Sequence, residues 1–360
     1  MKPTQPFACQ HTPELPELIA ELGCSLVVST YQAGKLIVIS SDGERLIQLP
    51  RTFDTPMGLA VDESRLAVAT KNEILLLAND SRLAASYPKQ PGRYDALFVP
   101  RSAHFCGQLM VHDMVWTKQG LLAVNTLFSC LIRLDPNFSF SPMWTPPFVS
   151  QLAPEDRCHL NGLAVVDGVP RYATALGETD TSGGWRGQKE RGGVLIDVES
   201  GETILRGLAM PHSPRVYDGD LYVLLSATGE IARVDVETSK IEVIHRVEGF
   251  VRGMARIGDH LFVASSRVRK NHTFGDLRLA QEDRSFCGIT VLHLPTGARV
   301  GELRYARSCE EIYDVQILPG LLRPGILGLA DSTHRRALSL PEQTFWGQDE
   351  AGTPRRGSSC

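Results

Sequence analysis

The chain has 360 residues, 42% hydrophobic and 22% charged, with a net charge of −4. Such a composition supports a sizeable buried core and argues against wholesale disorder, and with no concentrated basic run the chain is not expected to be a general nucleic-acid binder. Length alone suggests two domains, but closed all-β architectures of this size routinely form one, so repeats are sought before boundaries.

The first segment, Met1 to Ser25, interleaves Pro3, Pro6, Pro13 and Pro16 with polar residues. It holds no apolar stretch of signal-peptide length, so secretion by that route is not expected. Helical periodicity is confined to Pro13–Leu22, and no later run reaches the roughly 18 to 20 apolar residues that cross a bilayer. A soluble, cytoplasmic protein without membrane contacts is the expectation. Eight cysteines are scattered without a CxxC pair, which reads as reduced, buried and structural thiols.

From Ser25 onward the chain reads as short strands rich in β-branched residues and separated by Gly, Asp, Asn and Pro turns. Ser25–Ser29 and Lys35–Ser40 come first. A weak unit then recurs: a polar residue, a small or acidic one, alternating apolar residues, a turn and a second apolar strand. It starts at Met57-Gly-Leu-Ala-Val, His112-Asp-Met-Val-Trp, Asn161-Gly-Leu-Ala-Val, His212-Ser-Pro-Arg-Val, Arg252-Gly-Met-Ala-Arg and Tyr313-Asp-Val-Gln-Ile. Six anchors roughly fifty residues apart predict an all-β protein, a β-propeller of six four-stranded blades, with seven as the alternative count. Because Ser25–Ser40 precede the first anchor, they are expected to complete the blade begun near Tyr313. The organisation that follows is an N-terminal extension over 1–24, one propeller domain over 25–340, and a flexible tail over 341–360. Two insertions interrupt it: the polar, Gly-rich stretch 177–193 and the charged stretch 267–286. Long loops of this kind are usually functional or disordered.

In a propeller the first strand of each blade lines the axis, so residues at one register converge at one level. That register gathers Met57, His112, Asn161, His212, Arg252 and Tyr313, with His159 and Glu311 one step nearer the rim. Three imidazoles and a carboxylate suit a borderline divalent ion such as Zn, Fe or Mn, with His112, His159 and His212 as ligands. Each histidine reads equally as a hydrogen-bonded channel residue. Arg252, assisted by Arg215 or Arg186, matches a carboxylate or phosphate; the bland alternative is an ion pair with Glu311 or Asp314. Asp113 and Asp314, standing where other blades have glycine, are expected to bond backbone amides. Trp185 and Arg186, in the 177–193 loop, are candidates for folding over the channel mouth and stacking on a ligand, or for surface packing. Asn125, Glu178 and Asp180 offer oxygen ligands for a harder ion such as Ca, the weaker metal reading. Without a P-loop, dinucleotide fingerprint, GxSxG elbow or HExxH helix, no nucleotide cofactor is expected.

Three functions compete. The first is a metal-assisted enzyme acting on a small anionic or peptide-like substrate, with Glu311 as ligand or general base, Arg252 positioning the anion and Tyr313 beside them as a further catalytic candidate, while Asn161, Arg215, Trp185 and Arg186 contact the ligand. The second is a non-catalytic propeller binding a peptide or protein partner on its loop face. The third is a calcium-dependent lactonase-like hydrolase using Asn125, Asn161, Glu178 and Glu311.

The stretches Ser29-Thr-Tyr-Gln-Ala-Gly-Lys-Leu36, His112-Asp-Met114, Asn125-Thr-Leu-Phe-Ser-Cys130, Cys158-His-Leu-Asn-Gly-Leu-Ala164, Gly177-Glu-Thr-Asp180, Gly184-Trp-Arg186, Pro211-His-Ser-Pro-Arg215, Phe250-Val-Arg-Gly253 and Glu311-Ile-Tyr-Asp314 together resemble a mostly bacterial family of conserved hypothetical proteins, domain-of-unknown-function family 4915. The resemblance runs from about Leu22 to Gly320 and implies a propeller with no established activity. A looser similarity joins the chain to six-bladed gluconolactonase and strictosidine-synthase-like propellers, some of which hold a metal at the channel mouth. Those lactonases use carboxylate and amide ligands, whereas this channel is rich in imidazole.

Overall fold

The computed structural model describes residues 6–268, 275, 277–281 and 285–348. Six sheets of four or five strands form a ring, a six-bladed β-propeller. We number the blades by their innermost strands: Leu59–Val61, Val111–Thr117, Leu160–Val166, Pro211–Tyr217, Phe250–Ile257 and Asp314–Pro319. Each of these touches the next, and the sixth touches the first, so the ring is closed. All six anchors lie in or within three residues of these strands. The predicted closure holds as well: Asp314–Pro319 pairs antiparallel with Cys24–Thr30, which continues into Lys35–Ser41 and Leu46–Thr52.

A four-stranded sheet cannot satisfy its two apolar faces alone, and here each face is buried against the neighbouring blade. One apolar cluster fills each gap: Val28 and Ile289 between blades 6 and 5, Val38 and Leu66 between 6 and 1, Ala67 and Leu121 between 1 and 2, Val124 and Leu163 between 2 and 3, Leu195 and Val223 between 3 and 4, and Leu224 and Val263 between 4 and 5. The closing blade is clasped on both sides. Cys9–His11 adds a fifth strand to blade 5, helix Leu15–Glu21 buries Leu15 and Ile19 beside it, and Pro324–Ile326 adds a parallel strand to blade 1. Capping those two edges removes unpaired strand backbone where the chain's ends meet. Within 341–360, the described part reaches residue 348 and includes Thr344–Trp346, which pairs with Ala337–Ser339 and sets Trp346 against Tyr87. Residues 349–360 and much of the 267–286 insertion lie outside the described residues.

Two polar devices fix the inner strands. Hydroxyls from neighbouring blades donate to the carbonyls that lead into the next inner strand: Ser29 to Met57, Thr126 to Leu160, Ser226 to Val251 and Ser266 to Ile312. The second device alternates around the ring. Blades 2, 4 and 6 carry Asp113, Ser213 and Asp314, whose side chains accept backbone N–H bonds from Leu163, Gly253 and Leu59 of the following blade at 2.9–3.0 Å. Blades 1, 3 and 5 carry Gly58, Gly162 and Gly253 at the same position, because their Cα atoms press on the next blade's backbone. A Cβ on Gly162 would lie 2.3 Å from Pro214 Cδ and 2.5 Å from Thr174 Oγ1, and one on Gly253, at φ +79°, 2.8 Å from Asp314 Cα. Gly162→Ala is therefore expected to lower stability by about 1–3 kcal/mol, as overpacked cores do. Urea midpoints should show the loss against Gly187→Ala, whose Cβ meets nothing within 4 Å.

Among the described residues seven cysteines are free thiols and six are buried. Burial pushes Cys24 and Cys106 up to about 11 and Cys130 and Cys158 up to about 12, which keeps these thiols protonated and unreactive. No helix among the described residues is long and apolar enough to cross a membrane.

Candidate functional site

At one end of the channel the approaches to the inner strands enclose a cavity of about 220 Å³, lined among others by Met57, His112, His159, Arg252, Glu311 and Tyr313. Six of the residues gathered from sequence thus share one space. Trp185 and Arg186 of the long loop also line it.

His112 and His212 are held by the same local arrangement in blades 2 and 4. Two residues before each, Met110 and Met210 adopt left-handed φ values of 56° and 54°, which turns their carbonyls back toward the imidazole. Nδ1 of His112 donates to Met110 O at 2.8 Å and lies 2.8 Å from Thr126 Oγ1. Because Thr126 gives its own proton to Leu160 O, its oxygen is an acceptor toward the ring. His212 repeats the pattern with Met210 O at 3.0 Å and Ser226 Oγ at 2.8 Å. In both rings Nδ1 therefore carries the proton and Nε2 is left as an acceptor. Burial, the neighbouring His159 and Arg252 hold His112 well below the usual histidine range; burial and Arg252 do the same for His212.

His159 is positioned differently. It takes a left-handed φ of 53°, and its Nδ1 meets Asp156 Oδ1 at 2.9 Å and Oδ2 at 3.1 Å. Asp156, 5% exposed, also accepts from Trp185 Nε1 at 3.0 Å and from Arg186 Nη2 at 3.3 Å. The rings of His112 and His159 meet edge to face with centroids 4.8 Å apart, and His112 lies 5.3 Å from Tyr313.

His212 does not join this pair. It is absent from the cavity wall, and its Nε2 is 3.3 Å from Arg252 Nη2, a geometry in which the guanidinium donates to the ring. Arg252 also lies 4.0 Å above the Tyr313 ring, with Nη1 3.7 Å from Glu311 Oε1. Its Nε is buried with no hydrogen-bond partner among the described residues. Among the described residues no group of three His, Cys, Asp or Glu side chains is arranged to hold a metal ion.

The remaining candidates have other occupations. Arg215 forms a two-pronged pair with Asp113, Nη1 to Oδ2 at 2.8 Å and Nη2 to Oδ1 at 2.9 Å, away from the cavity. Asn161 is buried and accepts from Thr174 Oγ1. Asn125 accepts from the Phe128 amide, Glu178 pairs with Arg206, and Asp180 pairs with Arg157, so of the oxygen ligands considered for calcium only Glu311 reaches the cavity. Trp185 is no free lid: the helical turn Gly184–Gln188 folds its indole inward to 2% exposure, with the ring 4.4 Å from His159. Sequence reading passed over Asp156, although an aspartate three residues before His159 is a signal for such a pair. It also passed over Met110 and Met210, whose spacing to His112 and His212, and onward by fourteen residues to Thr126 and Ser226, is identical.

No curated protein sequence matches the chain. Among solved structures the chain is similar to one in the crystal structure of a nidogen/laminin complex, at a TM-score of 0.54 and 8% identity, covering 82% of this chain and 99% of that one. That likeness extends to the fold alone. The family model described as "Domain of unknown function (DUF4915)" matches residues 13–327, nearly the whole ring, and the chain belongs to that family.

Proposed function

We propose that the channel-mouth cavity binds a small carboxylate-bearing ligand, with Arg252 as its anchor. The observation that carries this reading is the incomplete pairing of Arg252: a guanidinium 12% exposed, with Glu311 Oε1 3.7 Å away and its Nε without a partner among the described residues. A buried cation held beyond hydrogen-bond distance of its counter-ion gains from an anion that meets its fork directly. Among the described residues Arg186, Arg252 and Arg267 line the cavity against Asp156 and Glu311, three cations to two anions, a balance that one added negative charge completes. With His112 neutral, its Nε2 accepts a hydrogen bond from the ligand. The Asp156–His159 pair supplies a positioned imidazole for proton transfer. The volume suits a small molecule or one side chain of a peptide, below the usual 300–1,000 Å³ of drug-sized pockets.

A metal reading has one observation in its favour. Asp156 on Nδ1 of His159 is how a carboxylate orients an imidazole toward an ion. Against it, Arg252 puts positive charge against His212 and close enough to His112 to act on it, which repels a divalent ion. Ligand-observed NMR with acetate, succinate and N-acetylglycine tests both. Binding that survives EDTA treatment and disappears in a folded Arg252→Gln variant is the expected result. Binding that EDTA abolishes and a stoichiometric transition metal restores would replace this reading with the metal one. A partner protein on the same face is the remaining alternative, in keeping with a fold relative solved as a complex.

A further inference from the structure

Far from the channel, a second cavity of about 460 Å³ opens between the outer strand of blade 6 and the outer edge of blade 1. Its walls carry Arg51, Lys89, Arg93 and Arg323 against one acid, Asp331, which is already paired with Lys89 at 3.2 Å. Among the described residues no carboxylate lies within ion-pair distance of these three guanidiniums, Asp42 and Asp95 acting on Arg323 only at longer range, on a chain whose net charge is −4.

Strand register explains the gathering. Pro324–Ile326 runs parallel to blade 1's outer strand, pairing Pro324 with Ala96, so the residues leading into both strands emerge at the same end. Arg93 and Arg323 are those residues, and an antiparallel pairing would have sent them to opposite ends. Asp95 fixes the crossing point by accepting the amides of Leu322 at 2.6 Å and Arg323 at 2.9 Å. Arg51 is aimed from blade 6, its Nε donating to Ile326 O at 2.8 Å and Nη1 to Pro50 O at 3.2 Å. Neither the Arg93 nor the Arg323 guanidinium has an ion pair or hydrogen bond among the described residues. Burial and the adjacent Arg93 work against the charge on Arg323 and outweigh the support of Tyr94, Asp42 and Asp95. Like charges gathered by backbone geometry repel one another, and an anion among them relieves that repulsion. Tyr87 and Tyr94, 5.5 Å apart and edge to face, form an aromatic wall beside the cations.

We infer that this cleft is a second ligand site, for a phosphate monoester whose phosphoryl group meets Arg51, Arg93 and Arg323 and whose organic body lies against Tyr94. A phosphoryl group presents three oxygens to three planar forks, where a carboxylate presents two. The site is independent of the channel-mouth cavity and of its reading.

Isothermal titration with phenyl phosphate and with inorganic phosphate tests it on the full chain. Expected is saturable one-to-one binding of phenyl phosphate, tighter than inorganic phosphate, weakened at least about tenfold in Arg93→Gln/Arg323→Gln and steeply by salt. Arg93 is exposed and Arg323 half-buried, and a thermal melt checks that the variant folds. Arg252→Gln should leave the affinity unchanged. No saturable binding of either probe up to about 10 mM overturns the inference, as does binding that persists in the double variant or is lost in Arg252→Gln. Equal affinity for the two probes would overturn the aromatic wall and reduce the site to one for free phosphate.

Discussion

Asp113→Ala is expected to cost about 3–5 kcal/mol of stability, the largest effect of any single substitution considered, because it strands a buried guanidinium. Asp113 is 5% exposed and Arg215 16%, and they are joined by two parallel N–H···O bonds across blades 2 and 4. Burial opposes the charge on Arg215, yet Asp113 more than offsets it and holds the guanidinium above its ordinary range. The same carboxylate accepts the amides of Met114 and Leu163 at 3.0 Å, so the substitution also orphans two backbone donors. Asp113→Ala/Arg215→Met removes the stranded cation and should recover much of the loss, since replacing both partners of a buried pair with apolar groups is often near neutral. Urea unfolding of the two variants measures this. A loss below about 1 kcal/mol for Asp113→Ala would show that water reaches Arg215 and that the pair does not hold the ring together.

This pair also shows where the sequence is legible and where it stops. The alternation of Gly58, Asp113, Gly162, Ser213, Gly253 and Asp314 is visible in the six repeats, and from it follow the register, the blade order and the backbone-bonding role of the aspartates. Blade closure is equally visible, because Ser25–Ser40 has no inner strand of its own upstream. What the repeats do not carry is the offset between blades. Two histidines at equivalent positions, His112 and His212, acquire different neighbours because blade 5 places Arg252 against one of them and blade 3 places His159 against the other. Arg215 reads as a ligand contact on its own strand, and the carboxylate it pairs with, Asp113, is 102 residues away. The 177–193 stretch is legible in part: its Trp185 and Arg186 line the cavity at the channel mouth, while the bond that draws the indole onto Asp156 is one that local pattern cannot announce.

Protonation should shape stability on the acid side of neutrality, where three buried groups set the slope. Burial and the facing Asp113 raise Asp314 to about 7, with Arg215 pulling the other way. The unfolded chain releases that proton near 3.9, so between about 4 and 7 the folded state holds a proton the unfolded state has lost. Stability from this group is complete below about 4 and is lost as the pH rises through 7. His112 and His212 act in the opposite sense: their folded forms stay neutral well below the unfolded value of about 6.5, so their contribution is present above 6.5 and is lost as the pH falls. For these three groups two histidine protons outweigh one carboxyl proton on the acid side, so stability falls below about pH 6.5, while above it the remaining histidine gain and the Asp314 loss nearly cancel and stability is level. Asp314→Asn should steepen the acid limb by about 1.4 kcal/mol per pH unit, because the opposing carboxyl proton is gone. It also lowers stability at every pH, because both Asp314 oxygens accept backbone amides, from Leu59 and Val315, and an amide nitrogen cannot. His212→Asn keeps a donor for Met210 O while removing the titrating ring, and should flatten the acid limb by about 1.4 kcal/mol per pH unit. Chemical denaturation at half-unit steps from pH 5 to 9 reads both slopes. A constant stability difference between the parent chain and Asp314→Asn across that range would mean that Asp314 is ionised at neutrality, and that Arg215 balances two carboxylates in the channel instead of one.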